Sequence, residues 1–397
     1  MFEVAIRVEV AIQVQVQVQV QVEVERGGGG QMRIVVAPDS FKGTIDAADA
    51  AEALASGWRS VRSADEVRCV PMADGGEGTL AAIVSASPGA RLVDVPDVTG
   101  PDGRPVRGKF ALLPDGTAVV ELAVASGLPL LGGELRPLTA TTRGTGETIA
   151  AALDAGATRL LIGLGGSAST DGGFGLLSAL GARLLDDEGN EISDVSSDLD
   201  AALEVAATFD RSRIRFAPPG GVVLLTDVTN PLLGESGAAA VYGPQKGAGE
   251  RELPLLEARL TRLAELMGAD PSHPGAGAAG GTGYGLLAGW GAVVEPGAPA
   301  VAQLLGLPGL LASAELLITG EGRYDATSLQ GKAVGEVVRL AEAAGVPSNV
   351  VAGESAAAEV LTLASLAGSA SAARAEPARW LHRAGATLAG RWTASHA

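Results

Sequence analysis

The sequence predicts an α/β protein with two α/β domains built from parallel-sheet βα units, and two observations carry that class. From residue 32 onward, apolar runs of strand length alternate with longer stretches of helical periodicity, the pattern of buried strands joined by crossover helices. Five glycine-and-acid blocks also sit at the ends of apolar runs: APDSFKGT (37–44), PMADGGEGT (71–79), RLLIGLGGSASTDGGFG (159–175), TDVTNPLLG (226–234) and TGEGRYDATSLQGK (319–332). Ligands of open α/β sheets bind beyond the carboxyl ends of the strands, so the five blocks are expected to converge on one cleft.

Residues 1–31 stand apart. From Phe2 to Val24 every even position is apolar, and GGGG precedes Gln31. One strand of that length far exceeds the usual range of about 3–10 residues, and an unpaired Val/Gln ladder is an aggregation template. The stretch is expected to be a low-complexity extension outside the fold, with the first strand opening at Met32.

MRIVVA (32–37) reads as a buried strand, TIDAADAAEALASGW (44–58) as an alanine-rich helix, EVRCVPMA (66–73) as a strand and GEGTLAAIVSA (76–86) as a helix opening at a glycine turn. GKFALL (108–113) and TAVVELA (117–123) flank Pro114, Asp115 and Gly116, a turn signal that predicts a hairpin and a second domain. ETIAAALDAGA (147–157), FGLLSALGA (174–182) and RELPLLEARLTRLAELM (251–267) read as helices; TRLLIGLGG (158–166) and GGVVLLTDVT (220–229) read as strands. PSHPGAGAAGGTGYG (271–285) reads as a flexible crossover. Beyond it, AVAQLLGLPGLLA (300–312) and KAVGEVVRLAEAAG (332–345) are helical, AELLITGEG (314–322) and VPSNVVAGE (346–354) are strands, and the Ala/Ser-rich residues 356–373 give no clear element. The expected organisation is a discontinuous Rossmann/flavodoxin-like domain from residues 32–95 and 290–395, with an α/β domain of residues 96–289 inserted.

Composition narrows the function. Against 29 basic residues stand 46 acidic ones, a net charge of −17, which repels nucleic acid and anionic membrane surfaces, so neither is an expected partner. No apolar run approaches the roughly 20 residues that span a bilayer, and the start lacks a basic segment leading into an apolar one; a cytoplasmic location is expected. The single cysteine, Cys69, excludes an internal disulfide, and three histidines leave too few ligands for a Cys/His zinc site. Any metal is expected on oxygen ligands. Cys69, in the apolar VRCVPMA, reads as a small buried hydrophobe rather than a reactive thiol.

The GLGGSAS loop has the composition of a phosphate holder. Gly165 and Gly166 let the backbone approach a ligand, while Ser167, Ser169 and free amides donate to its oxygens; Gly75 and Gly76 offer the same in the second block. Phosphoryl transfer further needs a cation, a base near the acceptor hydroxyl and positive charge on the transferring group. Asp171, Asp227 and Asp325 are candidate ligands or bases, and Lys42, Arg323 and Lys332 candidate charges. Taken singly, each block reads equally well as a strand-to-helix turn with a capping side chain, and Asp74 and Glu77 have capping-box spacing. Neither a G-x-x-x-x-G-K-[ST] run nor the protein-kinase glycine loop with H-R-D is present. A non-catalytic sensor of a small acid or sugar phosphate would keep the glycines and cations without the acids, and a phosphatase would use one Asp as a nucleophile.

In this order and spacing, APDSFKGT, PMADGGEGT, TTRGTGET (141–148), GLGGSASTDGG, TDVTNPLLGESGAAAVYGPQKGA (226–248), GAGAAGGTGYG (275–285) and TGEGRYDATSLQGK closely resemble the bacterial glycerate kinase family, type 1, glycerate 2-kinase-like. The resemblance runs from Met32 to about Trp392. It implies ATP-dependent phosphorylation of D-glycerate to 2-phosphoglycerate with Mg2+, on a two-domain α/β fold with the active site in the interdomain cleft. ATP and D-glycerate are the partners so implied; the choice between the 2- and 3-hydroxyl, and a homodimer, stay open. Residues 1–31 are foreign to the family, and Tyr324 and Thr327 stand where its GEGR-x-D-x-Q pattern has Leu and Gln.

Roles follow from that resemblance. A glycerate carboxylate calls for a bidentate guanidinium, for which Arg323 comes first and Arg143 second; Asp39, Ser40 and Asp325 are expected beside it, with Lys42 near the transferring phosphoryl. Asp171, directly after the phosphate loop, is the expected base, with a helix N-cap as the alternative. Asp227 and Asn230 are expected to hold magnesium, and Asp74 and Glu77 compete for that role.

Overall fold

A computed structural model describes residues 31–193, 198–328 and 332–396; residues 1–30 of the alternating extension lie outside the described residues. In chain order the strands are β1 (Arg33–Val36), β2 (Glu66–Cys69), β3 (Arg91–Thr99), β4 (Pro105–Leu112), β5 (Thr117–Glu121), β6 (Arg159–Gly163), β7 (Arg183–Leu185), β8 (Thr208–Asp210), β9 (Val222–Leu225), β10 (Val293–Glu295), β11 (Leu316–Tyr324), β12 (Ser348–Ser355) and β13 (Leu361–Thr362).

Two large sheets organise eleven of them, and β7 and β8 pair antiparallel in a small third sheet. The first is five-stranded, in the order β13-β12-β11-β1-β2, and parallel throughout. It joins the two ends of the described chain, with Val35 of β1 in register with Leu317 of β11. The second, β10-β9-β6-β5-β4-β3, is parallel from β10 to β5 and antiparallel at β4 and β3. The expected hairpin is its β4–β5 corner, where Phe110 faces Val120 and Gly116 turns with φ 85°. Strands of this sheet run from Arg91 to Glu295, wider at each end than the expected 96–289. Strand β3 pairs with β4 from Arg91 onward, and β10 adds to β9 after the preceding helix has ended.

Strand alternation sends successive side chains to opposite faces, and three cores result. Ile34 and Val36 pack with Leu54, Trp58, Leu381 and Leu388 under the helices Ala47–Val61 and Pro377–His396. Val35 and Ala37 face the other way, into a core shared with Val119, Leu161 and Val223 of the second sheet. The opposite face of that sheet, Val120, Leu160 and Ile162, packs on Ile149, Leu177 and Leu260. The shared middle core fixes the two sheets against each other, each fully buried large side chain stabilising by roughly 1.5–3 kcal/mol.

One expectation is overturned. The glycine-rich 271–285 is no loose crossover: Ala278–Trp290 is a buried helix interrupted by left-handed residues at Ala279, Gly280 and Gly281. Its glycines serve close packing; a Cβ at Gly283 would stand 2.2 Å from the Gly275 carbonyl oxygen.

Candidate active site

The two sheets meet at their carboxyl ends, and the loop after β2 is the hinge of that meeting. Gly75 has φ +87°, and a Cβ there would stand 2.7 Å from the Leu225 carbonyl oxygen at the end of β9. At the end of β6, a Cβ on Gly165 would stand 2.3 Å from the Gly76 Cα. Only glycine permits backbones to cross that closely. The helix Thr79–Ala86 opens here with no side chain of its own as a cap. Instead Glu121, buried at the end of β5, accepts from the N–H groups of Gly78 (3.1 Å) and Leu80 (3.0 Å), which corrects the capping-box reading of Asp74 and Glu77.

Carboxylates gather around the hinge from both sheets. Asp39, buried at the end of β1, accepts from the Ser40 N–H at 2.6 Å. Burial and then the charge of Asp74 push its carboxyl up to about 7, against the Ser40 hydrogen bond and Lys42, with Glu321 pushing up further. Asp227, after β9, accepts from the Gly297 N–H at 3.0 Å; desolvation first, opposed by that hydrogen bond, and then Asp74 raise it to about 6. Asp74, whose charge acts on both, accepts from the Gly76 N–H. Among the described residues, no three His, Cys, Asp or Glu side chains form a ready metal cage. Asp74 and Asp227 each keep their second carboxylate oxygen free of chain donors among the described residues. That fits magnesium, which takes one or two carboxylates and fills its remaining positions with phosphate oxygens and water.

Three of the remaining expected groups, Arg323, Asp325 and Lys42, close the first-sheet side. Arg323, near the end of β11, is exposed with its Nε 3.5 Å from Asp325; Asp325 in turn accepts from the Thr327 N–H and hydroxyl, which hold it below the usual carboxylate range. Lys42 is exposed beside Asp39. Sequence reasoning did not single out Glu321, which is buried with Oε1 unpartnered among the described residues and raised by burial. Its signal was the Glu of TGEGR.

On the second-sheet side, a cavity of about 340 Å3 adjoins the glycine loop, walled by Leu128, Leu164, Val228 and Tyr242 and floored by Gly165, Gly166 and Ser167. An apolar wall ending in the amides of Gly166 and Ser167, which meet no chain acceptor among the described residues while Gly165 donates to the Gly75 carbonyl, fits a nucleoside bearing phosphate. Lys246, also unforeseen at the residue level, lines this cavity and is fully buried, with Nζ donating to the Ser169 carbonyl (2.5 Å) and the Ser167 hydroxyl (3.3 Å). Burial pushes its ammonium down to about 8, opposed by the charge of Asp171.

Three expected residues are placed differently. Asp171 is buried, and Oδ2 accepts from the Thr142 N–H and hydroxyl, both at 2.8 Å, and from the Gly175 N–H at 3.3 Å, while Oδ1 accepts from Gly173. It ties the loop to the start of the helix Phe174–Ala179, whose N-cap is Gly173 and not Asp171, as the capping alternative had it, and has little capacity left for a substrate proton. Asn230 donates to the Ser236 carbonyl and accepts from the Tyr242 hydroxyl, so both ends of its amide have partners within the chain and one lone pair of Oδ1 is taken. Arg143 pairs with Glu147 at 3.0 Å and lines a larger cavity, about 770 Å3, walled entirely by residues between Leu138 and Arg259. None of Asp39, Asp74, Asp227 or Arg323 reaches that cavity.

A family model described as the glycerate kinase family matches residues 34–392. Over 329 residues the chain is 44% identical to the glycerate kinase of Bacillus subtilis (strain 168), covering 81% of this chain and 85% of the relative. It is 42% identical over 308 residues to the glycerate 2-kinase of Escherichia coli (strain K12), covering 76% and 80%. A crystal structure from Salmonella typhimurium LT2, assigned as a glycerate kinase 2, superposes with a TM-score of 0.79 at 38% identity, over 92% of this chain and 99% of that one.

Proposed function

Since the chain belongs to the glycerate kinase family, we propose that it transfers the terminal phosphoryl group of ATP to the 2-hydroxyl of D-glycerate, with magnesium. The observation that carries this reading is the convergence of Asp39, Asp74 and Asp227 with the glycine loop of β6 where the two sheets meet.

In this reading the cavity beside Gly165, Gly166 and Ser167 takes the nucleotide, its phosphates running toward the hinge. Asp74 and Asp227 hold magnesium, which neutralises phosphate charge when bound. Arg323, exposed at the first-sheet lip, grips the glycerate carboxylate; Ser40 and Lys42 lie on the same lip. Asp39 is the base. Burial raises its carboxyl above the ordinary carboxylate range, which makes it basic enough to receive a hydroxyl proton, the match that general base catalysis favours. The oxygen that loses this proton attacks the terminal phosphorus while ADP leaves.

The test is ADP release from MgATP with and without D-glycerate, followed by proton-coupled 31P NMR of the product. Release that requires D-glycerate, with a phosphorus doublet from one methine proton, supports the 2-kinase. A triplet from a methylene assigns the 3-hydroxyl, and D-glycerate-independent or absent release contradicts the kinase reading.

A further inference from the structure

Lys246 has an environment that a purely structural lysine would not need. It sits in the 3-10 turn Pro244–Lys246, and its Nζ meets two neutral oxygens. No ion pair forms to it among the described residues, and Asp171 acts on it only through its charge. A buried ammonium without a counter-charge is unfavourable. It carries three donors, of which two are used, and it lines the cavity beside the glycine loop. In the same loop, the hydroxyls of Ser169 and Thr170 are buried without partners among the described residues. Above it, Ala279 holds φ 53° while its carbonyl accepts from Ser167 and Thr282; strain of that kind gathers at ligand-holding sites.

We infer that Lys246 binds the phosphate chain of the nucleotide, supplying the counter-ion for an anion that enters the cavity past Gly166. The inference rests on the reading of that cavity as the nucleotide site. Adenosine, which lacks the phosphates, should not sense the lysine.

Calorimetric titration with ADP and with adenosine tests this on the whole chain, in the unaltered protein, in Lys246→Met and in Val228→Trp, which fills the apolar end. The expected result is ADP binding at least roughly thirtyfold weaker in Lys246→Met, the usual loss when one partner of a buried charge pair is removed, with adenosine unchanged. Weakening of both ligands, or of neither while Val228→Trp abolishes both, overturns the role of Lys246 and leaves the cavity reading standing. No effect of either substitution overturns the cavity reading itself. The unaltered protein supplies a second measurement, an acyl-phosphate derivative of ATP. The nearest amine attacks its carbonyl carbon, forms an amide and loses a proton, and the nucleotide phosphate departs with the electron pair. Of the four lysines, Lys42, Lys109, Lys246 and Lys332, ATP-protected acylation is expected on Lys246, with Lys42 on the lip as a second acceptor past the terminal phosphorus; no acylation of Lys246 overturns the inference.

Discussion

Asp39 and Asp171 are both buried acids beside glycines, yet their surroundings give them opposite uses. Asp171 is saturated by four chain donors; Asp39 has one, and a neighbouring carboxylate that opposes its ionisation. Asp39→Asn is therefore expected to lower kcat by roughly 10^2–10^4-fold and to abolish an acid limb of kcat/KM near pH 7, a limb that magnesium at Asp74 moves to lower pH. Steady-state rates between pH 5 and 9 check this. Stability should move the other way. The carboxyl rises from 3.8 to about 7 on folding, so its cost is absent below pH 4, grows as pH rises from about 4 to about 7, and levels above. Urea unfolding should find Asp39→Asn more stable than the parent at pH 8, by up to about 4 kcal/mol, and equal at pH 4. Asp171→Ala should instead lose about 1–3 kcal/mol by leaving buried donors unmet; full stability with a large loss of kcat would restore Asp171 as the base. Arg323→Ala should raise the KM for glycerate roughly tenfold to a hundredfold, the loss of a charged hydrogen-bond pair, with a much smaller change in the KM for ATP.

Between elements, the hinge loop carries the architecture. Gly165→Ala forces a Cβ against Gly76, and overpacking of this kind costs typically 1–3 kcal/mol; unfolding measurements should show it, with a loss of kcat/KM for ATP as the glycine loop shifts. Strand and helix identities were readable along most of the chain because apolar periodicity reports which face is buried, as for MRIVVA and RELPLLEARLTRLAELM. The site blocks were readable because glycine at a strand end has few other uses. Partnership was not. Nothing local in PMADGGEGT shows that Glu121, more than 40 residues on, caps its helix, and the amide of Asn230 looks free until Tyr242 folds against it. GAGAAGGTGYG misled because glycine signals both flexibility and close approach, and only the packed neighbours decide. The C-terminal helix Pro377–His396 docks on Ala47–Val61 through Gly57 and Gly385, where a Cβ would stand about 2 Å from backbone oxygen; the apolar residues Leu54, Trp58, Leu381 and Leu388 share that core, but which helix they pack against is not written in either stretch.

At the scale of the molecule, the two sheets share one core, and their carboxyl ends face a common hinge, so a ligand bound there should order loops from both. The larger cavity within residues 138–259 offers the competing location. Hydrogen exchange with and without MgADP and 2-phosphoglycerate separates the two most directly. Slowed exchange is expected together in peptides covering 37–44, 71–79 and 319–328 of the first sheet and 163–169 and 226–230 of the second. Protection confined to 138–143, 174–184 and 198–204 would contradict a site at the meeting of the sheets.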